Sequence, residues 1–386
     1  MFYQHRIIVS IIVYLFCAFY MPNLAFSQTK VGTVTMPYLK FINSPMAAAM
    51  GNSSINQIEE QSALYNPGAF ALFSLRNNLS ISMPSNSIRL PGSLYLKSYS
   101  IGAGINLNQV YAKQINNFNL AIAAVYSKFR LQSKIVQIID YSPYTLETND
   151  YYEIADYYSF AIALDYFIRI GFGLTHKNIK TDNSEFMVRA NALDYGILIE
   201  FPVMNIINTK HSYSDIDDNK VNFECTPSFA YVKANIGDDV EYPYDNYSPL
   251  PKFSRTGWAM YMAIKLGYSS IISARLVKET ENNLVLEVND LNNYGHEFGL
   301  CGAFFYRWGR AEYTRDTHYY KTWGFGINSK GILNWIIRLK VISPSGFFQN
   351  VNNHFSISFD YAKYKDNDLG YRDNIKFNKL KLSYSF

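Results

Sequence analysis

From Phe160 to Thr175 every second residue is apolar: Phe160, Ile162, Leu164, Tyr166, Ile168, Ile170, Phe172 and Leu174. The row between them runs Ala161, Ala163, Asp165, Phe167, Arg169, Gly171, Gly173 and Thr175. A helix would spread the apolar set round its circumference, whereas a strand puts it on one face. As a single strand at ~3.3 Å per residue the run exceeds roughly 40 Å, too long for a soluble sheet but suited to a tilted membrane strand. On this reading Ile168 lies on the lipid face near the bilayer midplane, and Gly171 lies on the tolerant inner row.

The pattern recurs. Trp258, Met260, Met262, Ile264, Leu266 and Tyr268 form one apolar row, and Phe298, Leu300, Phe304, Tyr306 and Trp308 another. Leu333, Trp335, Ile337, Leu339 and Val341 alternate with Asn334, Arg338 and Lys340, and Phe355 to Tyr361 alternate with Ser356, Ser358 and Asp360. Weaker versions lie around Tyr99–Leu107, Phe118–Tyr126, Tyr195–Val203, Phe223–Tyr231, Ile272–Leu276, Leu284–Val288 and Trp323–Ile327. Leu380, Leu382, Tyr384 and Phe386 carry the alternation to the last residue. The 33 Tyr and 27 Phe suit aromatic girdles at the bilayer interfaces. About twelve clear strands and a few weaker ones predict an all-β, transmembrane antiparallel β-barrel of about fourteen strands.

The start of the chain agrees with export. His5 and Arg6 precede an apolar run from Ile7 to Tyr20, and Ala25-Phe26-Ser27 offers a cleavage site before Gln28. This predicts a signal peptide over 1–27 and an outer-membrane destination in a Gram-negative cell. The net charge of +4 includes Arg6, too little to imply nucleic acid as a partner. Cys225 falls in an apolar row and Cys301 in a small and polar one, so two free thiols are expected.

Residues 28–77 do not alternate, while 78–386 do. Pro45-Met46-Ala47-Ala48-Ala49-Met50-Gly51 reads as a short helix with Pro at its start and Gly at its stop. Tyr65-Asn66-Pro67-Gly68 reads as a turn. A barrel of about fourteen strands is too wide for wall side chains to fill, so this segment is expected to be a hatch inside it. Its polar groups are expected to pair with inward charges such as Arg169 and Arg307.

The hatch residues also resemble a family. Pro37-Tyr38-Leu39-Lys40, then Ser44-Pro45 with Ala47-Ala48-Ala49-Met50-Gly51, then Ala63-Leu64-Tyr65-Asn66-Pro67, is similar to the N-terminal signature of PorV/PorQ proteins, FadL-type outer-membrane barrels. Ala192-Leu193-Asp194-Tyr195-Gly196, Arg307-Trp308-Gly309 and Gly324-Phe325-Gly326 extend the resemblance along the chain. Asn66-Pro67-Gly68-Ala69 departs from the family's Asn-Pro-Ala-Gly order. The resemblance implies a hatch-plugged barrel that either handles secreted proteins with the type IX secretion machinery or passes hydrophobic small molecules as a FadL-type channel. Implied partners are outer-membrane lipid and lipopolysaccharide, with type IX components or secreted proteins under the first reading.

No motif for catalysis appears: the histidines form no His-Glu-x-x-His, and there is no Gly-x-Ser-x-Gly elbow or phosphate loop. Asp215, Asp217, Asp218 and Asn219 lack the Gly and distal Glu of a calcium loop. No cofactor or metal is therefore expected. Asp165, Arg169, Glu297 and Arg307, with Lys265, Arg338, Lys340 and Asp360, are expected in the lumen as salt-bridged filling, because a buried unpaired charge is costly. Asp140–Tyr158 and Asp238–Pro249, acidic and Tyr-rich, are expected as long outward loops.

Overall fold

The computed structural model describes residues 33–76, 78–84, 88–90, 94–110, 119–138, 146–182, 187–207, 220–243, 246–267, 269–285, 290–314, 319–341, 351–366 and 375–385. The leader expected over 1–27, the Asp215–Asn219 cluster and Phe386 lie outside these residues.

Fourteen strands close one antiparallel barrel. In chain order they are β1 (Asn78–Pro84), β3 (Leu94–Asn106), β4 (Asn119–Ile138), β5 (Leu146–Asp165), β6 (Arg169–Asp182), β7 (Met187–Glu200) and β8 (Val221–Ile236). The second half is β11 (Phe253–Leu266), β12 (Ser269–Asn283), β13 (Leu291–Leu300), β14 (Phe304–Tyr313), β15 (Tyr319–Asn328), β16 (Phe355–Asp366) and β17 (Lys376–Ser385). The seam pairs first strand with last, from Asn78 opposite Ser385 to Pro84 opposite Lys379. A short β2 (Ile88–Leu90) runs beside β3, and β9 (Val240–Tyr242) pairs with β10 (Asn246–Ser248) in a separate hairpin.

Alternation sets two faces. Outward positions such as Phe160, Phe172, Trp258, Tyr306 and Ile357 are large, apolar and exposed. Inward positions such as Ala121, Ala161, Ala163, Ala230 and Ala263 are small and buried. An exposed apolar belt around a closed sheet satisfies every strand edge and suits a lipid surround. Among the described residues no helix is long and apolar enough to cross a membrane.

Several expectations are corrected. The run from Phe160 to Thr175 is a hairpin, β5 and β6 joined at Tyr166-Phe167-Ile168. Leu164 faces Ile170 and Asp165 faces Arg169 across it, so the three-residue turn preserves parity and hides in the alternation. Ile168 therefore sits at the barrel's end, away from the midplane. Phe298 to Trp308 is likewise a hairpin, with Cys301 and Gly302 in its turn at left-handed φ values of 58° and 59°. Cys301 thus belongs to neither face, and both Cys225 and Cys301 are free thiols.

The strand expected over Leu333–Val341 is a helix, Ser329–Arg338. Asn328 caps it by accepting from the Lys330 amide at 2.8 Å. Ile332, Trp335, Ile336 and Leu339 share a helical face, so this stretch carries both periods. Arg338 donates to the Leu266 carbonyl at 3.2 Å, at the barrel end, and Lys340 lies in the turn beyond the helix. Leu284 and Val285 bend away after β12 rather than opening a strand. Most of Asp140–Tyr158 is strand, because β4 and β5 extend as a hairpin of two 20-residue strands. Asp238–Pro249 contains the small β9–β10 hairpin.

Candidate functional site in the filled lumen

The hatch threads the lumen from one end to the other. The Thr35 amide bonds the Pro249 carbonyl at the end opposite the final residue. At the other end Asn78 Nδ2 donates to the Phe73 carbonyl at 3.0 Å, and Asn106 Nδ2 to the Leu75 carbonyl at 3.1 Å. Between them lie a 3-10 turn, Pro37–Lys40, and two short helices, α1 (Pro45–Ala49) and α2 (Pro67–Phe73). Ala47, Ala48, Met50, Ile55, Ala69 and Phe70 are at most 1% exposed.

Local sequence explains each piece. Ser44 caps α1 by accepting from the Ala47 amide, with Pro45 supplying a fixed φ at the first position. Gly51 follows at φ +67°, where a side chain is strained. Asn66 caps α2 by accepting from the Gly68 amide at 2.9 Å. Its amide donates to the Ile55 carbonyl at 2.8 Å and to the wall carbonyl of Ile197 at 3.1 Å.

Two glycine seats in the wall receive the two helices. A Cβ on Gly68 would lie 2.7 Å from the carbonyl oxygens of both Gly171 and Gly196. One on Gly173 would lie 2.6 Å from the Pro67 carbonyl. On the other seat, a Cβ on Gly295 would lie 2.7 Å from Met50, and one on Gly324 would lie 2.7 Å from Ala49 Cβ. Backbone meets backbone at both seats. Gly171 is therefore a docking position, not the tolerant inner residue expected from its row.

Polar groups of the hatch find wall charges, though not those expected. The Ser54 and Ile55 amides donate to Glu279 Oε2 at 2.7 and 3.1 Å. Arg255 donates to Ser54 Oγ at 3.0 Å while bridging Glu281 at 2.7 Å and Glu279 at 3.5 Å. Lys40 bridges Glu281 at 2.5 Å. Glu59 accepts from Ser44 Oγ at 2.5 Å and from Lys381 at 2.9 Å, and Arg275 donates to Gln57 at 3.1 Å. Burial pushes the Glu59 carboxyl up, but Lys381 and Ser44 outweigh it and hold the group below its ordinary value.

The four lumen residues singled out from sequence lie in wall-to-wall pairs. Arg169 bridges Glu200 at 2.8 Å and Asp165 at 3.9 Å, beside the β5–β6 turn. Arg307 bridges Glu297 at 2.6 Å and Asp360 at 2.5 Å. Lys265, also expected inward, pairs with Glu224. Sequence reading missed Arg255, Glu279, Glu281 and the buried pair Lys177–Asp194, 2.6 Å apart. Parity held the signal for Glu279 and Glu281, which fall two and four residues after inward Val277. Among the described residues no group of three or more His, Cys, Asp or Glu could hold a metal ion.

Outside the lumen, a cleft of 430 Å³ opens on the lipid face between Leu79, Ile101, Ala103, Ala124, Tyr126 and Tyr158. Ala103 and Ala124 make the dent. Behind it Phe70 of α2 approaches the wall, 3.2 Å from where a Cβ on Gly102 would stand. Nearby, β3 pairs with β1 only up to Ser100 and with β2 only from Leu96 onward. Lys97, Ser98 and Tyr99 thus have no ladder partner on that side among the described residues. The hatch meets the wall there, Asn43 Nδ2 donating to Ser98 Oγ.

No family model and no curated protein matches the chain. Among solved structures, the toluene transporter TbuX of Ralstonia pickettii is 9% identical at a TM-score of 0.40, covering 88% of this chain and 96% of its own. The toluene transporter TodX of Pseudomonas putida is 7% identical at 0.39, with coverages of 88% and 96%. The CymD monoaromatic hydrocarbon channel is 10% identical at 0.42, with coverages of 89% and 97%. By its own strand geometry the chain is an outer-membrane type β-barrel of fourteen strands, its lumen filled by an N-terminal hatch.

Proposed function

We propose that the protein is a non-enzymatic FadL-type channel that passes hydrophobic small molecules across the outer membrane, with their exit sideways through the wall. The apolar lipid-facing cleft carries this reading. Beside it Lys97, Ser98 and Tyr99 have no ladder partner on that side among the described residues, and a hatch side chain, Asn43, bonds Ser98 from within. The filled lumen opposes a straight aqueous path, while a lipid-side route needs only a small hatch movement. The toluene and monoaromatic hydrocarbon channels above would make aromatic hydrocarbons reasonable first solutes to try.

The test locks the hatch to the wall. Asn43→Cys with Ser98→Cys places two thiols where the side chains now touch. Uptake of a radiolabelled aromatic hydrocarbon into proteoliposomes should fall on oxidation and return on reduction. Uptake indifferent to the lock would remove the proposed route.

A second reading, a PorV/PorQ-type barrel that handles secreted proteins with the type IX machinery, is favoured by the hatch signature. Ala48 is fully buried in α1, and Pro45, Met50, Gly51, Asn66, Pro67 and Gly68 all hold structural positions in the filled lumen. No solute uptake by the wild type, together with periplasmic build-up of secreted proteins on its deletion, would select this reading.

A further inference from the structure

We propose that the outward wall of β3 to β7 carries a binding site for a phosphorylated glycolipid of the outer leaflet, a lipopolysaccharide. It would hold the phosphates on a row of cations and an acyl chain in the cleft beneath.

The strand registers align the cations. Lys97 stands opposite Arg130, Arg130 opposite Ile154, Ile154 opposite Lys180, and Lys180 opposite Arg189. All five face outward along one row of paired strand positions, and Lys97, Arg130 and Arg189 are exposed. Tyr152 anchors the middle: the Arg130 guanidinium and the Lys180 ammonium lie 5.5 and 5.3 Å from its ring centre. Lys180 spends its charge partly on Asp182, 3.2 Å away, and Lys128 below pairs with Asp156 at 3.6 Å. No carboxylate lies within ion-pair distance of Lys97, Arg130 or Arg189 among the described residues. Three cations in one line, none of them ion-paired among the described residues, are suited to a polyanion with geometrically separated phosphates.

The membrane level agrees. Tyr99, Tyr126 and Tyr158 form a contact chain just below the row, with ring centres 6.3 and 5.4 Å apart. Such aromatics mark the headgroup boundary. Below Tyr126 on β3 to β7, and below Trp308 on β12 to β15, no Asp, Glu, Lys or Arg takes an outward strand position among the described residues. The cleft at Ile101, Ala103 and Ala124 begins four residues from Lys97, about 13 Å along the strand. That places an acyl-chain seat directly under a phosphate row.

The other side of the barrel repeats the device. Lys278, Tyr294, Arg310 and Lys321 stand opposite one another in turn. There Lys278 and Arg310 flank the Tyr294 ring at 5.6 and 5.4 Å. The cations therefore ring the end opposite the final residue, the end bearing the long β4–β5 hairpin and the β9–β10 hairpin. Long extensions belong to the outer face of such barrels, so the outer leaflet is the source of the lipid. This inference requires the membrane barrel but not the channel, so it stands or falls apart from the solute reading.

The experiment uses the full-length protein in detergent, titrated with hexa-acylated bisphosphorylated lipid A, the same lipid dephosphorylated, and phosphatidylglycerol. Wild type should bind the bisphosphorylated lipid at least tenfold more tightly than either other probe. Lys97→Ala, Arg130→Ala and Arg189→Ala together should erase that preference, and Lys97→Arg with Lys180→Arg should keep it. Retained heat-modifiable mobility on gels certifies that each variant is folded. Equal affinity for phosphatidylglycerol would overturn the proposal in favour of generic attraction to anionic lipid. Unchanged lipid A binding in the folded triple variant, or equal binding of the dephosphorylated lipid, would overturn it outright.

Discussion

Gly68 of the hatch and Gly171 of the wall meet backbone to backbone, so close that a Cβ on Gly68 would lie 2.7 Å from the Gly171 carbonyl oxygen. No flexible side chain stands between them to give way. Gly171→Leu should therefore expel α2 from its seat while the strand ladder closes as before, since backbone pairing does not need the hatch. Planar-bilayer recordings should show ion conductance well above that of the wild type. Wild-type conductance in a folded variant would mean the seat is not needed to fill the lumen.

Phe172 and Ile168 separate the membrane wall from its rim. Phe172 is 47% exposed on the outward row of β6, while Ile168 sits in the turn. Phe172→Arg should cost roughly 2–4 kcal/mol in urea unfolding from lipid vesicles, and Ile168→Arg roughly 0–1 kcal/mol. Equal losses would show that the turn is immersed.

Arg255 joins hatch to wall through Ser54, Glu279 and Glu281. Arg255→Met would leave two buried carboxylates facing each other without their shared cation. Such removals cost about 3–5 kcal/mol. The loss should fall on hatch docking, read as faster proteolytic clipping between Lys40 and Arg76 in an otherwise protected barrel. Unaltered clipping would contradict the linkage.

Glu59 makes docking sensitive to acid. Its carboxyl is held below the ordinary 4.5 in the folded state, so its contribution is present above the unfolded value. It is lost as pH falls through the lower folded value, where protonation breaks the Lys381 pair. Wild-type hatch clipping should rise as pH falls below the ordinary 4.5 of a glutamate and through the lower folded value, and Glu59→Gln should flatten that dependence while raising clipping at neutral pH. The same acid profile in both proteins would assign the effect elsewhere.

Alternation made the barrel legible because the side-chain period is a property of single strands. It could not reveal the turns at Tyr166–Ile168 and Cys301–Ala303, since odd-length turns leave the parity of the next strand unchanged. Residues 333–341 misled for another reason: six of the nine side chains are apolar and fall on both a two-residue and a helical spacing, so two periods fit and the Asn328 cap decides. The first hatch helix was readable from Pro45 and Gly51; Asn66 and Pro67, read as a turn, start the second. The wall partners of the hatch were not readable, because which inward charge meets the hatch depends on how the barrel is rolled around it. Arg169 and Arg307 bridge wall carboxylates and not the hatch, and Gly171 looked permissive only while its neighbour across the lumen was unknown.

The seam between β1 and β17 has a consequence for how the molecule is made. It joins Asn78 to Ser385, the widest separation along the chain of any pairing in the wall. Closing so long a loop carries a high entropic cost, and such contacts form late. In the wild type the hatch lies inside by then, because its two seats are on opposite walls and its far end reaches Pro249. The hatch is thus wrapped as the sheet rolls up, although the ladder itself can close without it. Pulse-labelling of single cysteines during refolding should find position 68 protected no later than position 382; the opposite order would mean that the tube closes first.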